Sequence, residues 1–272
     1  MPKLDPARRV LAALPRSWRA ELAGTRLEPV AAGEGGAAVF RIRGSGADDL
    51  WSAGRFLKFA TGNGAKRLRD EIERTGWLAD RGLRVPGILR AHATGRQAAV
   101  IMSVVPGVPP QACGRPAEAV VTSIARAFAA LHALPAEACP YDETVAMRLA
   151  RARADLRRGA IDAGQFDARN RDVTPQQLYE RLATDRPASE DLVVVHGDAT
   201  FDNILVDEDG TVGLIDCGNA GRADRYVDLA LIAGEIVEHF GPEWVARFVR
   251  AYGLAGWDAG KARFFADLYE LF

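Results

Sequence analysis

Residues 105–116 read VPGVPPQACGRP, and a stretch so dense in proline and glycine cannot continue a helix or a central strand. The patterning on its two sides differs in kind. Before it, short apolar segments at 27–32, 37–43 and 55–60 are separated by glycine clusters, as in adjacent antiparallel strands. Spacing through Leu68, Ile72, Trp77 and Leu78 predicts a helix over 68–81, stopped by Gly82 with Pro86 beyond. Two more strands are expected at 88–93 and 98–104. After the break the chain turns mainly helical. Helices are expected over 117–134 behind Pro116, from Asp142 or Thr144 to about 158, and over 176–183 behind Thr174-Pro175. Short apolar segments at 192–196, 204–206 and 212–215 intervene before helices at 224–239, 242–252 and 259–271. The expected class is α+β, a strand-rich lobe over 1–104 followed by a helical lobe over 105–272.

With 272 residues, 48% of them hydrophobic, the chain can fill one large core or two modest ones. A net charge of −1 argues against nucleic acid as the main partner, since binding a phosphate backbone takes a clear basic excess. No apolar run is long enough to span a bilayer, so no membrane partner is expected. The opening MPKLDPARRVLAALPRSW is too interrupted for a signal peptide, and a cytoplasmic location is the default expectation. Cys113, Cys139 and Cys217 are odd in number and scattered, which suits reduced thiols rather than a disulfide framework or a zinc site. Lysine occurs only at positions 3, 58, 66 and 261, which marks out Lys58 inside the apolar RFLKFA. On its own it reads as a surface lysine with a buried stem.

The most specific pattern is VVVHGDATFDNILVDEDGTVGLIDCGNAGRADRYVDLA. In it His196-Gly197-Asp198 precedes Asn203 by five residues, and Asp216 ends an apolar strand. A tight turn after a buried strand can expose Asp198, while Asn203 and Asp216 offer oxygens of the kind a hard cation such as Mg²⁺ takes together with phosphates and water. An acceptor hydroxyl at Asp198 would then face a metal-clamped phosphate, as phosphoryl transfer requires. Any one of these residues alone would read as structural; the ordered set does not. His196 is expected to be structural, and DEDG at 207–210 a hairpin turn.

The block HGDATFDNILV…LIDCGNAGRADRYVDLA resembles the catalytic region of aminoglycoside phosphotransferases, in particular the 3'-phosphotransferases. The end of the chain, GPEWVARFVRAYGLAGWDAGKARFFADLYELF, resembles their closing helices, and the similarity runs over residues 30–272. The resemblance implies a bilobal protein-kinase-like fold, with a nucleotide-binding N-lobe and a catalytic, substrate-binding C-lobe. It implies ATP (or GTP) as phosphate donor and Mg²⁺ as cofactor. By the same resemblance Asp198 is the catalytic base, Asn203 and Asp216 are the magnesium ligands, and Asp228 braces the catalytic loop. Lys58 engages the nucleotide phosphates and is oriented by Glu71. AAGEGGAAVF at 31–40 matches neither a Walker A loop nor G-x-G-x-x-G, and alone reads equally as a glycine hairpin. Beside the rest it makes Gly35, Gly36 and Ala37 nucleotide contacts. Met102, Ser103 and Val105 fall at the hinge, where the family's adenine meets backbone groups.

A site for polycationic aminoglycosides should gather carboxylates. Asp198, Glu270 and the terminal carboxylate of Phe272 match the family's substrate positions. Glu235, Glu238, Asp162 and Asp167 are further candidates. His239 and Tyr269 stand where relatives commonly carry acids, and Gly234 and Asn219 where they commonly carry arginines. The expected activity is transfer of a γ-phosphate to an aminoglycoside hydroxyl, conferring antibiotic resistance. The alternatives are a kinase for another small alcohol (choline, homoserine, a sugar or a macrolide), a non-catalytic nucleotide-binding module, and, more weakly, a metal-dependent hydrolase.

Overall fold

The computed structural model describes residues 5–30, 36–44 and 54–272. The chain divides into two compact units, one of residues up to Pro106 with Leu214–Gly218, the other of Gly107–Gly213 with Asn219–Phe272.

The first unit runs α1 (Pro6–Ala13), α2 (Arg16–Glu21), β1 (Arg26–Pro29), β2 (Ala38–Arg43), β3 (Arg55–Thr61), α3 (Asn63–Ala79), β4 (Ile88–Ala93) and β5 (Gln97–Ser103). Its five strands form one antiparallel sheet in the order β1-β2-β3-β5-β4. Within β5 the segment AAVIM is a continuous apolar run because both faces of the sheet are covered. Ala99 and Ile101 join Phe40, Ile42 and Leu57 on one face, whereas Ala98, Val100 and Met102 join Ala60, Ala65 and Leu68 on the other. The second face receives α3, which begins at Asn63, five residues before the sequence-based estimate.

The first face is covered by two helices that sequence reading did not anticipate. Asp5 caps α1 by accepting a bond from the Ala7 amide at 3.1 Å, and Pro6 occupies the first helical position. Ala7, Val10, Leu14, Trp18 and Leu22 are buried along one side of this pair. Burying a side chain the size of Leu14 or Leu22 contributes about 1.5–3 kcal/mol, so the segment is an integral layer of the unit.

The second unit contains α4 (Ala117–His132), α5 (Val145–Arg158), α6 (Pro175–Thr184), β6 (Leu192–Val195), β7 (Ile204–Val206), β8 (Val212–Leu214, its last residue in the first unit), β9 (Gly221–Asp224), α7 (Tyr226–His239), α8 (Val245–Tyr252) and α9 (Ala259–Tyr269). Thr174 and Gln177 form a reciprocal capping box at the start of α6. The 207–210 segment is the expected turn between β7 and β8, with Asp207 accepting from the amides of Asp209 and Thr211. The helix expected from residue 224 starts instead at Tyr226, because Gly221–Asp224 pairs antiparallel with β6. Asp224 is fully buried there, bonded to Lys261 at 2.7 Å and to the Tyr226 amide at 2.9 Å. The helix expected over 242–252 opens as a 3₁₀ turn at Pro242–Trp244 and becomes α-helical only in α8. Among the described residues no helix is long and apolar enough to cross a membrane.

Candidate active site

In the first unit, β3 lies between β2 and β5 and holds Lys58 in register with Val39 and Val100. Its side chain is only 12% exposed, so it is not a surface lysine reaching for water. The ammonium donates to Glu71 Oε1 on α3 at 2.7 Å and to Asp216 Oδ1. Burial works against its charge, but the two carboxylates outweigh it and hold the Lys58 pKa above its ordinary value.

Asp216 follows β8 with φ of 56°, the only non-glycine residue in the left-handed region among those described. Such a conformation costs a side-chain-bearing residue about 1 kcal/mol and tends to persist where function requires it. The turn aims one carboxylate oxygen at Lys58, and the other has no protein partner among the described residues. Next to it Cys217 is buried, its thiol sharing a hydrogen bond with Thr75, and burial pushes that thiol far up from its usual pKa. Of the other expected nucleotide contacts, Gly35 lies outside the described residues. Gly36 has a positive φ of 72°, and Ala37 packs at the edge of the α3-side cluster. Met102 and Val105 are buried, and Ser103 exchanges bonds with Gly87, through its hydroxyl at 2.8 Å and its amide at 3.0 Å.

In the second unit, β6 delivers His196 and Gly197 into a buried turn that ends on a half-exposed Asp198. Gly197 has φ of 85°, and a Cβ there would lie 2.1 Å from the Asn219 carbonyl oxygen, so only glycine fits. Asp228 takes the amide of His196 at 2.7 Å on one oxygen and that of Gly197 at 2.8 Å on the other. Buried Arg148 donates to the Gly197 carbonyl at 3.3 Å. Farther along, Phe201 donates its amide to Glu235 Oε2 at 3.0 Å and stacks on His239 at 5.5 Å. Within the turn Asn203 Nδ2 donates to the Asp198 backbone oxygen and to Oδ2, both at 3.0 Å. Because Asn203 spends its amide nitrogen this way, its Oδ1 is left as the atom available to a cation.

Behind Asp228 lies a relay that sequence reading missed. Arg225 donates to the Tyr252 hydroxyl at 2.7 Å. The same hydroxyl bonds His132 Nδ1 at 2.8 Å, and because an ionised Asp228 can only accept, His132 Nε2–H donates to its Oδ2 at 3.0 Å. Burial alone would raise the Asp228 carboxyl. The His132 ring and the His196 amide more than offset it and keep the pKa below the ordinary carboxylate value. His132 stands 96 residues from Asp228, at the end of an unremarkable apolar helix, and nothing local signals its role.

A family model described as a phosphotransferase enzyme family matches residues 26–264. The aminoglycoside 3'-phosphotransferase of Streptomyces fradiae is 35% identical over 251 residues, which is 88% of this chain and 92% of that protein. The chain belongs to the aminoglycoside phosphotransferase family. As a member it is a kinase, and the α+β, protein-kinase-like class expected from the sequence is the one found. A solved aminoglycoside-3'-phosphotransferase of type VIII matches with a TM-score of 0.84 at 34% identity, covering 94% of this chain and 97% of its own. Aminoglycoside phosphotransferase APH(3'')-Id from Streptomyces rimosus, solved with ADP and streptomycin, matches with a TM-score of 0.78 at 30% identity, covering 93% and 95%.

The family's acidic positions fare unevenly in this member. Glu270 Oε1 accepts from Asn170 at 2.9 Å, while its Oε2 is buried with no hydrogen-bond partner among the described residues, and burial raises its pKa. Burial likewise raises Glu235, whose Oε2 serves the Phe201 amide. Asp162 caps its own turn through the Gly164 amide at 2.9 Å, and Asp167 pairs with Arg169 at 2.9 Å. Glu238 is exposed on α7. Phe272 lies beneath the guanidinium groups of Arg148 and Arg151, at 5.7 and 5.6 Å from the ring centre. A contact not foreseen is that of Tyr269, whose hydroxyl donates to Asp198 Oδ1 at 2.6 Å.

Proposed function

We propose that this chain transfers the γ-phosphate of ATP or GTP to a hydroxyl of an aminoglycoside, the 3'-hydroxyl first among candidates, and that in the cytoplasm this confers resistance. The observation that carries the reading is Asp198, a half-exposed carboxylate at the tip of a turn whose backbone is fixed by Asp228 and Arg148. A base must be held still to orient an acceptor, and such positioning makes up most of phosphoryl-transfer catalysis.

In this reading the acceptor hydroxyl donates to Asp198. As its oxygen bonds to the γ-phosphorus, the bond from phosphorus to the β–γ bridging oxygen breaks, and Asp198 takes the proton. Lys58, kept charged and in place by Glu71, engages phosphate oxygens. By the family resemblance the atoms suited to Mg²⁺ would be Asn203 Oδ1 in the second unit and, in the first, the Asp216 oxygen not bonded to Lys58, each a hard oxygen of the kind that ion takes beside phosphates and water. Bound there, the ion would neutralise charge building on the phosphates. Gly35, Gly36, Ala37, Met102, Ser103 and Val105 would line the nucleotide. Glu270, with a buried oxygen still to be satisfied, would meet an ammonium group near Phe272, with Glu235, Glu238, Asp162 and Asp167 more remote. The likeness to a streptomycin-bound relative keeps a 3''-hydroxyl as a second regiochemistry.

The test is a coupled phosphate-transfer assay against kanamycin, neomycin, ribostamycin, streptomycin and unrelated alcohols, with the product analysed for the site of phosphate. Asp198→Ala should lower kcat by about 10²–10⁴-fold. Transfer only to unrelated alcohols would overturn the substrate class, and wild-type turnover by the variant would remove Asp198 from its role.

A further inference from the structure

The Asp198 carboxylate is held from both sides. Oδ2 accepts from Asn203 at 3.0 Å and Oδ1 from the Tyr269 hydroxyl at 2.6 Å, a length in the range of a charge-assisted O–H···O⁻ bond. The terminal torsion of an aspartate is broad and roughly two-fold, so a single bond to one oxygen would leave the carboxylate plane free to swing. Two bonds to opposite oxygens fix it. Each oxygen keeps a second lone pair, and an acceptor hydroxyl can therefore dock without displacing either donor.

Tyr269 is also delivered by a fixed element. It is the last residue of α9, where Phe265 and Leu268 are buried in the preceding turn. Between them Asp267 accepts from Arg169 at 2.9 Å and from Asn170 and Arg181, each at 3.1 Å. That cluster ties the end of α9 to the 168–170 turn and to α6, so the phenol approaches Asp198 from a braced position.

We propose that Tyr269 is a positioning residue for phosphoryl transfer, its phenol fixing the plane of the Asp198 carboxylate for the incoming hydroxyl; the inference rests on the reading of Asp198 as the base. Tyr269→Phe keeps the ring and its packing and removes only the donor. With an aminoglycoside that the wild type phosphorylates, kcat should fall about five- to twentyfold, the loss of one charge-assisted bond in part. The KM values for acceptor and nucleotide should stay within about twofold and the melting temperature should not move. A crystal structure of the variant, which needs no turnover, should show the Asp198 carboxylate rotated about its terminal torsion. An unchanged kcat, a loss confined to the acceptor KM, or an unmoved carboxylate would overturn the proposal. A wild-type protein idle on every aminoglycoside would instead defeat the parent reading, and the crystal structure would still decide the part played by Tyr269.

Discussion

Asp216 does two jobs with one residue, a backbone in the left-handed region and a carboxylate shared with Lys58. Substitution separates them. Asparagine tolerates positive φ, so Asp216→Asn should keep a stability close to that of Asp216→Gly, whereas Asp216→Ala should be less stable than the glycine variant by about 1 kcal/mol. All three should lose phosphotransfer, and urea unfolding beside a transfer assay reads both effects. An alanine variant more stable than the glycine one would mean that the backbone there is unstrained. At this scale the sequence is generous where chemistry and spacing coincide. Lys58 could be marked out because an amine among apolar strand residues needs a reason, and its bond to Glu71 supplies one. Tyr269 could not, since its hydroxyl meets a carboxylate 71 residues earlier through a helix end whose direction no local pattern encodes.

Among the elements, the turn after β6 depends on α7 and α4 more than on its own residues. Asp228 takes both of its buried amides, and its depressed pKa fixes the sign of the acid response. The stabilisation is present above the unfolded carboxyl value of about 4 and is lost as pH falls through the lower folded value. Asp228→Asn should therefore cost about 3–5 kcal/mol at pH 7, and the gap from wild type should narrow below about pH 4. Urea titrations at the two pH values check this, and a gap independent of pH would refute it. Element identity is readable where one period dominates, as in α4, or where a short apolar run is bounded by polar and turn residues, as in β5. The helices α1 and α2 were overlooked although Ala7, Val10, Leu14, Trp18 and Leu22 recur at three- and four-residue intervals. Pro15 lies between them and interrupts the pattern. Strand β9 is missed, the expected helix taking in only its last residue Asp224, because GRAD carries no alternation and its pairing with β6 is non-local.

For the molecule as a whole, composition says little about the substrate. A net charge of −1 does not locate an acidic substrate shell, which is a matter of where carboxylates lie and not of how many there are. Asp162 and Asp167 are spent on their own neighbours, which no count could foresee. The buried Cys217 gives the whole chain a chemical clock. Thiols alkylate as thiolates, and this one is kept protonated within the same turn that sets Asp216 beside Lys58. It can be modified only when that turn opens, so the rate of iodoacetamide labelling at Cys217 counts openings, while half-exposed Cys113 serves as the fast internal reference. If a nucleotide–magnesium complex engages Lys58 and Asp216, labelling at Cys217 should slow in its presence by the factor 1 + [L]/Kd, with Cys113 unaffected. The same shielding makes this kinase a poor target for cysteine-directed covalent inhibitors at the turn that carries Asp216, and any compound aimed there would have to engage the Asp216 and Lys58 pair instead.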